Sequence, residues 1–145
     1  MYNNIVIAYD GSECGQKALL DCKDLAQWSH AKLSLVAVMP SSAGYVAMEG
    51  AIYDPESESR EVAKFQAVLA DGLRRLEQAG YSASGELLKG DSVQEITRYA
   101  SEVGADLIVV GHKHLDSWAA RWWRGSISGA LIEHAPCSVL CVITR

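Results

Sequence analysis

The sequence predicts an α/β fold: a single Rossmann-like domain over residues 1–145, with a five-stranded parallel sheet in the order 3-2-1-4-5 and helices on both faces. Three observations carry this. Short, largely β-branched apolar runs recur at residues 5–9, 33–39, 107–110 and 139–143. Between them lie segments whose apolar residues repeat at three- and four-residue spacing, the period of a helix with one buried face. The strand runs are apolar throughout rather than at alternate positions, which marks strands covered on both faces and joined by right-handed crossovers. A length of 145 residues suits one hydrophobic core, and no repeat, linker or low-complexity tract divides the chain.

Each element has its own signals. Residues 5–9 form the first strand, closed by Asp10-Gly11-Ser12, and Ser12 caps a helix with Ala18, Leu19, Cys22, Leu25 and Ala26 on one face. Residues 33–39 form the second strand, stopped by Pro40. Residues 41–56 hold two glycines and Pro55 and are expected to be a loop carrying Tyr45, Val46, Met48, Ile52 and Tyr53. Such a loop serves as a lid, a partner-binding segment or a disordered connection. A helix is expected over 57–80, with Val62, Phe65, Leu69, Leu73 and Leu76 as its stripe and Gly80 as its stop. A less apolar strand follows at 84–89. Ser92-x-x-Glu95 has the form of a capping box, opening a helix that presents Val93, Ile96, Tyr99, Ala100 and Val103. Residues 107–110 form a strand ending at Gly111. A loop rich in basic and aromatic residues leads to a helix over 126–134, and residues 139–143 close the sheet.

Composition narrows the function. The chain is 49% hydrophobic and 21% charged, as ordinary globular proteins are, and its net charge of −5 argues against general nucleic-acid binding. No apolar run nears the ~20 residues that span a bilayer. The amino terminus lacks the cationic region of a secretory signal, so no membrane partner and a cytoplasmic location are expected. The four cysteines, none in a CxxC, are expected to be reduced and to act as small hydrophobes; a redox pair of Cys137 and Cys141 is the lesser alternative.

In a parallel sheet of this order a ligand sits beyond the carboxyl ends of the strands, where the order reverses between strands 1 and 4. Those strands end at Asp10 and Gly111. A glycine admits close backbone approach, and the Gly125-Ser126 helix start offers free N–H groups to an anion. Each feature also has a structural reading. Asp10 serves to shape the strand-to-helix turn, and Ser126 serves as a helix cap. His112 and His114 alternate on an extended segment but lack the further ligands that zinc requires. Trp118, Trp122 and Trp123 suit a core or dimer contact, or stacking on a base.

The segments IVIAYDGS at 5–12, Gly90-Asp91, ADLIVVG at 105–111, Gly125-Ser126-Ile127-Ser128 and HAPCSVL at 134–140 together resemble the universal stress protein family, in order and spacing over nearly the whole chain. The resemblance implies a cytoplasmic stress-response protein, a homodimer through the C-terminal strand, and in many members a bound adenine nucleotide, ATP or AMP, with or without Mg2+. Binding members carry Gly, two residues, Gly, nine residues, Gly and then Ser or Thr. Here Gly111 and Gly125-Ser126 match, His114 replaces the second glycine, and the spacer is ten residues. Histidine tolerates the left-handed backbone better than most residues, and His114, Lys113, Arg121 or Arg124 can supply charge-assisted contacts to phosphate. The resemblance assigns Asp10 to the nucleoside or a divalent cation, Val38 to the adenine through its backbone, and Gly111 to the passage beneath the phosphates. The phosphates fall to Gly125, Ser126 and Ile127, with His114 beside them. The alternative is a stress-response homodimer that binds no nucleotide. No enzymatic role is expected: the His-x-x-His of related nucleotidyl transferases is absent after strand 1, although slow ATP hydrolysis stays open.

Overall fold

The computed structural model describes residues 1–41, 54–113 and 127–144. Five strands, β1 (Asn4–Ala8), β2 (Lys32–Met39), β3 (Ala83–Lys89), β4 (Leu107–Lys113) and β5 (Ser138–Thr144), form one parallel sheet in the order β3-β2-β1-β4-β5. Four helices connect or cover them: α1 (Glu13–Ser29), α2 (Pro55–Gln78), α3 (Ser92–Glu102) and α4 (Ile127–His134). The fold expected from the sequence is the fold observed.

Successive residues of a strand point to opposite faces, so each central strand feeds two cores. On one face Ile5, Ile7, Leu35 and Val109 pack against Ala18, Leu19 and Cys22 of α1 and Leu76 of α2. On the other, Val6, Val36, Ile108 and Val110 meet Ile96, Tyr99 and Ala100 of α3 and Leu131 of α4. Asp106 aligns the central pair at their starts. Its carboxylate accepts from Asn3 N at 2.7 Å and Asn4 N at 3.0 Å, joining the head of β1 to that of β4. Burial pulls the pKa of Asp106 up, but these amides outweigh it and hold the carboxyl below its ordinary value.

Most boundaries differ from expectation by a residue or two, and four of the differences have a visible physical cause. Helix α2 begins at Pro55, because Asp54 caps it by accepting from Glu56 N at 3.1 Å and proline suits a first helical turn. It ends at Gln78, and Gly80, at φ +88°, closes a Schellman turn in which Tyr81 N donates to Leu76 O at 2.9 Å. The cap of α3 is Asp91 rather than Ser92: its carboxylate accepts from Gln94 N at 3.0 Å, and Glu95 instead pairs with Arg98 at 2.7 Å. Strand β4 continues past Gly111 to Lys113 because β5 goes on pairing with it, Gly111 opposite Val142 and His112 opposite Ile143.

Candidate functional site

The carboxyl edge of the sheet is notched. Ala8, the last residue of β1, lies opposite Val36 of β2 and Val110 of β4. Both neighbours run three residues further, to Met39 and Lys113. Above β1 there is consequently a slot one strand wide, with about 10 Å between the axes of β2 and β4. The central strand stops early because Asp10-Gly11-Ser12 turns it into α1.

Val38 faces this slot with its backbone. Both polar groups of a residue in a parallel strand point to the same side, and the side alternates along the chain. Tyr9 N donates to Val36 O, and Gly90 N donates to Met39 O, each at 2.9 Å. The N–H and C=O of Val38 therefore share the side of Val36, toward β1, where β1 has already turned away. Among the described residues neither group has a hydrogen-bond partner.

The floor of the slot is a tight turn. Gly11 sits at φ +81°, where a side chain is strained. Asp10 accepts through Oδ1 from Ser12 N at 2.9 Å and from the Ser12 hydroxyl, and Ser12 Oγ accepts from Gly15 N at 3.1 Å as the cap of α1. Asp10 thus shapes the turn, the structural role open to it in the sequence, while also lining the slot. Gly111 has a packing cause. A Cβ there would lie 2.3 Å from Cys14 O, so β4 can pass the first turn of α1 only with glycine at this position.

The walls come from both helical layers. Together with the floor they bound a small cleft of about 100 Å³ that opens to solvent. β2 contributes Val36 and Val38, β4 contributes Val110 and Gly111, α2 contributes Phe65, α3 contributes Ser92 and Ile96, and α4 contributes Ile127 and Ser128. Of the residues singled out in the sequence, Asp10, Val38, Gly111 and Ile127 meet at this cavity. His114, Gly125 and Ser126 lie outside the described residues, as do Trp118, Trp122, Trp123 and the apolar positions at 45–53.

Sequence reasoning missed Phe65, Ile96 and Ser128 as wall residues. α2 has 24 residues, about 36 Å of helix, against about 26 Å for the eight residues of β2. The helix overshoots the sheet, and only Gly72 and Leu76 along its length are fully buried. Phe65, half-buried, lies in the amino-terminal half of this helix and lines the cavity. His112, considered as a metal ligand, instead places Nδ1 3.3 Å from Ser128 Oγ. Among the described residues no group of three or more metal-ligating side chains occurs.

Beside the slot, the buried Tyr9 hydroxyl donates to Asp71 Oδ2 at 2.7 Å, and Arg75 Nε donates to the same oxygen at 2.9 Å. The Arg75 hydrogen bond, followed by that of Tyr9, brings the Asp71 carboxyl down to about 2. Burial first, and Asp71 second, push the Tyr9 phenol up to about 12. All four cysteines are free thiols; burial raises Cys22 to about 12 and raises Cys137 as well. Cys137 immediately precedes β5 and Cys141 lies within it, so four extended residues, about 13 Å, separate them, beyond the ~7 Å Cα limit for a disulfide.

An open parallel sheet, covered on both faces and slotted at its carboxyl edge above the central strand, defines a doubly wound α/β protein. The model of the universal stress protein family matches residues 1–142, and the chain belongs to that family. It is 33% identical to a putative universal stress protein of Staphylococcus haemolyticus, over 99% of this chain and 86% of the relative. Among solved structures, a universal stress protein family member from Burkholderia pseudomallei superposes with a TM-score of 0.74 at 28% identity, covering 97% of this chain and 96% of that one. A universal stress protein in complex with cAMP superposes with a TM-score of 0.73 at 26% identity, covering 99% and 98%.

Proposed function

We propose that the slot binds an adenine nucleotide, ATP or AMP, as part of a cytoplasmic stress-response role. The observation that carries this is the backbone of Val38, which has no partner among the described residues. An adenine edge presents an acceptor ring nitrogen beside a donor amino group, the complement of an N–H and a C=O on one residue. The cleft opens to solvent above β1, and a relative of the same fold, 26% identical, is in complex with cAMP. In this reading Asp10 faces the ribose or a divalent cation. Gly111 leaves room beneath the phosphates, which the amides of Gly125, Ser126 and Ile127 hold, with His114 as a further donor. The role is binding, with no dedicated turnover.

The test is to denature purified protein and chromatograph the supernatant for released adenine nucleotide, then to titrate ATP and AMP in a thermal-shift assay. A ligand at 100 times its Kd stabilises by about 2.7 kcal/mol. Released nucleotide or a millimolar-range shift supports binding; neither, in a folded sample, overturns it. We further propose a homodimer joined through β5. Among the described residues this strand is an unpaired sheet edge, and Ile143 on it is exposed.

A further inference from the structure

We propose that Phe65 is a specificity-determining residue that stacks on the base, so that the slot selects ligands carrying a flat aromatic ring. The inference rests on the nucleotide reading of the slot and deepens it. Backbone N–H and C=O groups of a strand lie near the plane of its sheet. A ligand edge that pairs with Val38 therefore continues that plane, in the place where β1 would have run had it not turned at Asp10. Its two faces then look toward the two helical layers. The layer of α1 and α2 lies on one side and that of α3 and α4 on the other, as the two cores require.

The side chains that these layers bring to the cavity differ in kind. From α3 comes Ile96, almost fully buried, a fixed aliphatic wall. From the amino-terminal half of α2 comes Phe65, half-buried and lining the cavity. A ring held on one side of the sheet plane and an aliphatic branch on the other leave a flat gap. A purine fills such a gap, whereas a bare sugar phosphate leaves both walls without contacts. Lys64 holds its ammonium 5.9 Å from the Phe65 ring centroid, a weak contact at an exposed site. Phe65 is the only phenylalanine in the chain, and its position on a helical stripe makes it look like ordinary core.

The experiment measures ATP affinity by calorimetry for the wild type, Phe65→Leu and Phe65→Trp, with circular dichroism confirming the fold of each. Leucine keeps the apolar volume without the π face, and tryptophan enlarges that face. Removing base–aromatic stacking is expected to weaken ATP binding roughly 5- to 100-fold in Phe65→Leu, while Phe65→Trp binds at least as well as wild type. In NMR spectra of the wild-type complex the purine H2 and H8 protons are expected to shift upfield from the ring current, and to lose that shift in Phe65→Leu. Equal affinity in wild type and Phe65→Leu, or unshifted base protons in a wild type that binds ATP, overturns the stacking role and leaves the nucleotide reading intact. A folded wild type that binds neither ATP nor AMP overturns both.

Discussion

Gly111 shows how one residue can serve packing and a site at once. Its missing side chain clears the backbone of Cys14, which cannot retreat without moving the first turn of α1. Gly111→Ala is expected to lower stability by at least about 2 kcal/mol, as overpacking against backbone does, and urea denaturation measures it. An unchanged midpoint would mean that α1 yields easily at its start. Asp71 sets a second expectation. Its folded pKa, about 2, lies below the ordinary 3.8. The unfolded chain therefore takes up the proton first as pH falls, so the stabilising contribution is complete above about pH 4 and lost as pH drops toward 2. The Asp71 side chain is 29% exposed, so solvent screening limits that contribution to about 1 kcal/mol. The stability difference between wild type and Asp71→Asn should be present at pH 6 and shrink below pH 4. Tyr9 acts at the other extreme: its raised pKa favours the folded state below about pH 10 and ceases to do so as pH rises through about 12.

At the scale of elements, caps decide what periodicity leaves ambiguous. Gly90-Asp91-Ser92 offers two adjacent capping residues, and a spacing rule selects Ser92 because Glu95 follows it by three. The structure uses Asp91, since Gly90 at φ +140° turns the chain so that the aspartate carboxylate meets Gln94 N. Asp91→Ala should cost about 1 kcal/mol in thermal or urea unfolding, and Ser92→Ala only a few tenths; the reverse order would restore the Ser92 cap. The same kind of local ambiguity hid the start of α2, where Asp54-Pro55 is equally the signature of a turn and of a helix entry. Central strands were legible because runs such as residues 33–39 are too short and too evenly apolar to make a one-faced helix. The site was legible only where it coincides with strand ends or a helix start, at Asp10, Val38, Gly111 and Ile127. Its walls were not. Phe65 and Ile96 sit on helical stripes with the same spacing as core residues, and only the assembled sheet, in which β1 stops short of its neighbours, separates a wall from a core.

For the whole molecule, the order β3-β2-β1-β4-β5 gives the two sheet edges different fates. β3 is short of apolar residues, with Ser84, Glu86 and Lys89 exposed, and its Lys89 pairs with Glu58 of α2. Charge and polarity of this kind discourage edge-to-edge pairing. β5 is the opposite: SVLCVIT, with no charged residue and with Ile143 54% exposed. Two copies related by a two-fold axis normal to the sheet would set β5 antiparallel to its twin and satisfy both edges in one continuous sheet. The wild type is then expected to scatter light as twice the 15.7 kDa chain at micromolar concentration. Ile143→Lys puts an ammonium on that edge, where charge opposes pairing, and should halve the mass. Because Ile143 is not among the residues lining the slot, the variant should keep whatever ATP affinity the wild type has. A monomeric wild type would exclude the β5 interface, and a monomeric variant that also loses ATP would mean that slot and interface are coupled through β4, which lines the slot and pairs with β5.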